Sequence, residues 1–379
     1  MKNKRSAFII IALTLALTGC SLTGTSVSQP QEMTHSTVES LSVSDKDKDT
    51  SYDEADSSEI VLSDQDPEVT ITEGGTYIIT GSVSDGMITV EAPEDEDVHL
   101  ILKDVSISNP DSPAIFIMTA DEVYITLEGS VSLDNGGTFT AIGDEEADAV
   151  IYSKTDLTIN GEGTLSIVSP SGHAIVCKDE MVITGGIFDI TSGEDGINTN
   201  DSLAITAGTF SIDSGDDAIH TDGIINIDGG EYMIEAAEGL EATVIVINDG
   251  TFTINASDDG INAAQKNEEL TPYIEINGGS INITMGAGDT DGIDSNGDIV
   301  INGGTVDISG QSTIDYDGAA QLNGGTLIIN GNETDTIPNQ MMGGPGDKGG
   351  QMPGDGGEGF PQGDPPSGQK PQGPGGFQG

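Results

Sequence analysis

The sequence predicts an all-β fold, a right-handed parallel β-helix, on three observations. Short apolar stretches alternate with Thr, Asn, Asp and Ser, as in Ile225-Asn226-Ile227-Asp228, so one face of each strand is buried. Glycine corners recur at Gly163, Gly186, Gly208, Gly230, Gly250, Gly279, Gly304 and Gly325, with steps of 23, 22, 22, 20, 29, 25 and 21 residues. That interval marks a stacked solenoid. No helical periodicity interrupts the strands, and the leucine-rich consensus of the rival solenoid is missing. The long steps place inserted loops at 265–272 and 286–290. Insertions of this kind tend to gather on a functional face of a solenoid.

In chain order, residues 1–20 come first. Lys2, Lys4 and Arg5 precede an apolar run over 8–17 that ends in Leu17-Thr18-Gly19-Cys20, the layout of a signal peptide with a lipobox. The run is shorter than the roughly 20 residues that span a bilayer. A lipid on Cys20 is therefore the expected membrane contact, and the expected location is extracytoplasmic, anchored at the bacterial cell surface. Residues 21–66, rich in Ser, Thr, Asp and Glu, read as a flexible tether. The β-helix is expected over 67–332. A low-complexity Gly/Pro-rich tail that cannot bury a core follows over 333–379.

The chain carries 11 basic and 65 acidic residues, and Arg5 is its sole arginine. Such a surface repels nucleic acid and attracts cations, so a nucleic-acid partner is excluded. Apart from Cys20 the only cysteine is Cys177, so a monomer has no internal disulfide and its stability rests on burial and hydrogen bonds. Nothing in the sequence points to an oligomer, and a monomer is expected.

A second motif repeats in phase with the glycines: Asp195-Gly196-Ile197-Asn198, Asp217-Ala218-Ile219-His220, Glu238-Gly239-Leu240-Glu241, Asp259-Gly260-Ile261-Asn262 and Asp291-Gly292-Ile293-Asp294. Stacking these motifs puts the apolar residues in one interior file. Asn198, His220, Glu241, Asn262 and Asp294 then form an exterior file, and the leading acids a third. At a coil spacing of about 4.8 Å, adjacent carboxylates repel by roughly 3.5 kcal/mol at an effective dielectric of 20. Calcium, which takes hard oxygen ligands in loose geometry, is the expected relief. Its candidate ligands are Asp195, Asp216, Asp217, Glu238, Asp258, Asp259, Asp289, Asp291 and Asp294. The plainer reading of each motif is that Asp-Gly is good turn chemistry, with the carboxylate in water.

The stretch Asp148-Ala149-Val150-Ile151-Tyr152-Ser153-Lys154-Thr155-Asp156-Leu157-Thr158-Ile159-Asn160-Gly161-Glu162-Gly163-Thr164-Leu165 resembles the core of the carbohydrate-binding-domain β-helix family of clostridial cell surfaces. His99-Leu100-Ile101-Leu102-Lys103-Asp104-Val105 and Pro113-Ala114-Ile115-Phe116 resemble that family's early coils. The resemblance implies a β-helix similar to polysaccharide lyases, with calcium sites. It also implies binding of cellulose or an acidic plant polysaccharide such as polygalacturonate, without established cleavage. Asn198, His220, Asn262 and Tyr273 are the candidate carbohydrate contacts. With no tryptophan in the chain, Tyr232, Tyr273 and Tyr316 are the rings that could stack on a sugar.

Two other classes stay open. Asp289-Thr290-Asp291-Gly292-Ile293-Asp294 and Gly215-Asp216-Asp217-Ala218-Ile219 look like the acid motifs of polygalacturonases, but in reversed order and without that family's arginine; Ser171-Gly172-His173 is a faint echo of its histidine motif. A calcium-dependent lyase needs a base, and Lys103, Lys154, Lys178 and Lys266 are the candidates. Acids beside a lysine hold its proton, which opposes that use. A rigid adhesin or spacer is the remaining class.

Overall fold

Alternation decides the strands. In Thr209–Ser214, Phe210, Ile212 and Ser214 point inward, while Thr209, Ser211 and Asp213 face solvent. Each such strand repeats one coil later in parallel register: Phe188 pairs with Phe210, Phe210 with Tyr232 and Tyr232 with Phe252. The result is a parallel β-helix. The structure, a computed structural model, describes residues 41 and 43–339 except 144 and 289.

From Glu122 to Tyr316 each coil contributes two strands to a 22-stranded first sheet and one to an 11-stranded second sheet, and the coils before Glu122 give one strand to each. The first sheet bends around the glycine corners into two walls. It stays continuous because Val98–Asn109 crosses the corner unbroken, pairing with Glu122–Glu128 before it and Ser130–Asn135 after it. The corner glycines are needed for both angle and space. Gly208 sits at φ 141°, and a Cβ there would lie 2.7 Å from the Phe210 ring. The core is the space between the walls, filled by files of Ile, Leu, Val and Phe. Each isoleucine fully buried there contributes roughly 1.5–3 kcal/mol.

The fold is longer at both ends than its sequence suggests. Ser58–Leu62 pairs with Gly75–Val83, and the folded unit begins at Val43. Asp47 is only 6% exposed, and its carbonyl accepts hydrogen bonds from Asn160 Nδ2 (3.0 Å) and Thr184 Oγ1 (2.9 Å). The tether expected over 21–66 therefore does not extend through 43–66. Polar side chains lining the outer wall give those residues backbone partners, which composition alone does not reveal. At the other end Asn332–Thr334 turns back antiparallel onto Thr326–Ile329 and closes that edge of the first sheet, so order continues past 332. Cys20 and most of the Gly/Pro-rich tail lie outside the described residues. Among the described residues no helix is long and apolar enough to cross a membrane.

Candidate functional site

The repeated acid motifs meet on the outer face of the second sheet. Ile197, Ile219, Leu240, Ile261 and Ile293 pair in register and are fully buried. Alternation then turns Asn198, His220, Glu241, Asn262 and Asp294 outward in one file. The leading acids run beside it, two positions before the short strand or at its start. The small residue that follows each acid is there for space: a Cβ on Gly196 would lie 2.6 Å from the Ala218 carbonyl, and one on Gly260 2.5 Å from that of Gly292. Asp-Gly in these motifs thus serves the close approach of successive coils, beyond ordinary turn chemistry.

Part of the charge is absorbed by the coil above. Asp195 Oδ1 accepts the backbone N–H of Asp217 (3.0 Å), and Asp259 Oδ1 accepts that of Asp291 (2.9 Å). Asn198 Nδ2 donates to Asp195 (2.6 Å), and Ser312 donates to Asp291. At the centre His220 Nδ1 lies 2.8 Å from Asp217 Oδ2 and 2.9 Å from Glu241 Oε2. Lys266, carried in by the inserted segment 264–272, places Nζ 2.7 Å from Glu241 Oε1. Burial works against a charge on His220, yet its bonds to Asp217 and Glu241 keep it protonated, with its pKa raised to about 10. Glu241 is likewise buried, and His220 and Lys266 hold it well below the usual carboxylate range.

Other carboxylates of the face take up protons at a higher pH than usual, Asp217 among them, where burial and the charge of Glu241 outweigh the bond to His220. Burial, and then the charge of Glu241, pushes Glu238 up to about 8. Burial pushes Asp259 up to about 7 and Asp294 to about 6, with neighbouring carboxylates adding to both. A cation beside these groups would act against each of these shifts.

Two donor sets of this face could hold a metal ion. Asp217, Glu238 and Glu241 each offer an oxygen within 4.8 Å of the others, as do the ligand atoms of Asp195, Asp217 and His220. The first set is all hard oxygen. Beside it Asn262, 8% exposed, donates to Glu238 Oε2 (3.0 Å) while its own Oδ1 is buried without a hydrogen-bond partner. That chemistry suits calcium. The second set replaces one oxygen with an imidazole nitrogen and suits calcium less well.

The expected residues do not all converge. Asp195, Asp217, Glu238, His220 and Asn262 do, with Asp259, Asp291 and Asp294 continuing the rows. Asp216 and Asp258 are exposed and outside both donor sets, because they precede the leading acids where the chain turns toward solvent. Asp289 lies outside the described residues. Tyr273 is 5% exposed and belongs to the first sheet, in register with buried Val244, so its ring is not an open platform on the acid face. Tyr232 is stacked in the core between Phe210 and Phe252. Of the four candidate bases, Lys103 pairs with Glu128, Lys154 with Glu145, and Lys178 lies over the Tyr152 ring; Lys266 alone of them reaches this file.

One extension was missed. His173 occupies the leading-acid position one coil below Asp195, and with Asp148 and Glu194 it forms a third cluster of possible ligands. Counting two residues back from Ile175, which pairs with Ile197, would have found it.

The profile of a family described as carbohydrate-binding domain-containing protein matches residues 65–244 and 224–337. A protein of that description from Acetivibrio thermocellus is 34% identical over 180 residues, covering 46% of this chain and 60% of the relative's own length, less than two thirds of it. A solved structure, described as that of the polysaccharide lyase-like protein from C. thermocellum, is 25% identical. Its alignment covers 72% of this chain and 96% of that one, with a TM-score of 0.45.

Proposed function

The chain belongs to the family of carbohydrate-binding domain-containing proteins, and from that premise we propose that it binds an acidic polysaccharide such as polygalacturonate on the outer face of the second sheet, without cleaving it. In this reading Asp217, Glu238 and Glu241 hold calcium, and uronate carboxylates complete the ion's shell. The observation that carries it is the convergence of three carboxylates beside the buried, unpartnered Asn262 Oδ1. Calcium supplies the positive charge that lets an acidic face hold an acidic polymer. The chain's own residues fix where that charge sits. Asn198 and His220 border the row and would offer N–H groups to sugar oxygens, while Asn262, whose Nδ2 is directed at Glu238 and Glu241, helps to place those carboxylates.

The test is retention of the purified protein on polygalacturonate, with calcium and with chelator, while absorbance from unsaturated products is followed. Retention that needs calcium, with flat absorbance, is expected. Rising absorbance would make the protein a lyase and direct attention to Lys266, and retention indifferent to chelator would remove calcium from the reading. Binding to cellulose provides the neutral control.

The proposal extends to location: a lipid on Cys20 would hold the β-helix at the outer face of the cell membrane. Metabolic labelling with palmitate should be lost in Cys20→Ser, and label that survives in the variant would reject the anchor.

A further inference from the structure

Resting on the calcium reading above, we propose that Lys266 is a built-in competitor for the cation, so that the lysine ammonium and a divalent ion are alternative occupants of the same carboxylate oxygen. The geometry of Glu241 carries the argument. Its Oε2 is taken by His220 Nδ1 at 2.9 Å. Its other oxygen, Oε1, faces Asn262 Nδ2 at 3.4 Å and is held by Lys266 Nζ at 2.7 Å, so both oxygens are engaged. Of the two cations on Glu241, Lys266 is the more exposed, and it is the one that an ion drawing on Asp217, Glu238 and Glu241 together would displace.

The chain is built to keep the lysine close while letting its tip move. The backbone N–H groups of Lys266 and Asn267 both donate to Thr243 Oγ1, at 3.0 and 2.8 Å, and the Ala264 N–H donates to the Ala242 carbonyl at 2.9 Å. The root of the side chain is thus pinned to the coil beneath. Its side chain remains 34% exposed, so a path to water is open along four rotatable bonds. The lysine arrives on the longest insertion between corner glycines, 29 residues from Gly250 to Gly279, which places a cation beside the file that the regular repeat does not supply. Without an ion, Lys266 and His220 offset the charge of Glu241. With an ion in place, the ammonium is released into solvent beside the bound cation. By linkage, the factor by which calcium weakens the lysine's hold on Glu241 is the factor by which the lysine weakens calcium binding.

Two measurements on the full chain test this. Calorimetric titration with calcium alone at pH 8 and low salt is expected to show binding roughly tenfold tighter in Lys266→Met than in the wild type, within the range common for coupling between two sites. Lys266→Arg, which keeps the charge, should bind as the wild type does. Separately, acetic anhydride should modify Lys266 in the wild type several-fold faster with calcium than without, as read by peptide mass mapping. Lys103, paired with Glu128 elsewhere, should not change. If the wild type binds calcium but Lys266→Met binds equally or more weakly, or if calcium protects Lys266 from acetylation, the competitor assignment is overturned while the calcium site stands. If neither protein binds calcium, the calcium reading falls and takes this one with it.

Discussion

Protons and cations contend for the same oxygens along the acid face. Burial, aided by neighbouring carboxylates, raises Glu238 to about 8, Asp259 to about 7 and Asp294 to about 6 in the folded chain, from ordinary values of 4.5, 3.8 and 3.8. From roughly pH 4 to 8 the folded state therefore binds more protons than the unfolded one, and stability falls as pH rises through that window. Asp195 and Glu241 are shifted downward, so their stabilisation is lost only as pH falls below about 4. In chelator, scanning calorimetry should find a thermal midpoint several degrees lower at pH 8 than at pH 5. A midpoint that rises across this interval would mean the carboxylates are compensated some other way. Glu238→Gln removes the group with the largest displaced proton affinity here. It should raise the chelator midpoint at pH 8 and erase most of the midpoint gain from calcium; a gain left intact would remove Glu238 from the ligand set. The residues of these files were legible because the motif repeats and side chains alternate. The partners of Glu241 were not, since nothing local to Lys266 says which carboxylate it meets.

Strands and segments carry a different kind of prediction. Phe188, Phe210, Tyr232 and Phe252 stack ring on ring inside the first sheet, at centroid distances of 4.6, 4.8 and 4.4 Å. Phe210→Ala opens a cavity between two rings and should cost about 3–5 kcal/mol in denaturant unfolding. A loss under about 1 kcal/mol would show that the stack closes over the gap. The segment 43–53 is held as a strap across several coils: Lys46 pairs with Asp97 (2.6 Å) and lies over the Tyr124 ring, and Tyr52 donates to Glu128 (3.0 Å). Asn160→Ala removes one of the two donors to the Asp47 carbonyl and should destabilise the protein by about 1–3 kcal/mol. It should also speed proteolysis within 43–53, and proteolysis confined to other segments would deny the strap its role. The strap escaped the sequence reading because its contacts are backbone carbonyls meeting side chains more than 100 positions away.

As a whole the molecule is a stack in which each coil touches its neighbours, so its stability is close to a sum over coils. Removing residues 187–208 takes out one complete coil, because Ile187 and Thr209 are register equivalents. The shortened protein should keep its β circular dichroism and unfold cooperatively at a modestly lower temperature. Collapse to an unfolded chain would show that coil identity, and not coil number, specifies the fold. The acid face would lose Asp195 and Asn198 but keep Asp217, Glu238 and Glu241, so calcium binding should survive the deletion.

By itself the sequence determined the coil. Period-two alternation assigns each side chain to core or surface, and the glycine interval sets the repeat, since both are local properties of the backbone. Those two regularities also bring the acid motifs into files. Only the tertiary structure decided which residues share one oxygen. Lys266 reaches Glu241 from 25 positions away, and Asp47 meets Asn160 and Thr184 across the outer wall. Such contacts depend on how an irregular segment leaves the repeat, and irregular segments follow whichever distant hydrogen-bond partners the stacked coils present.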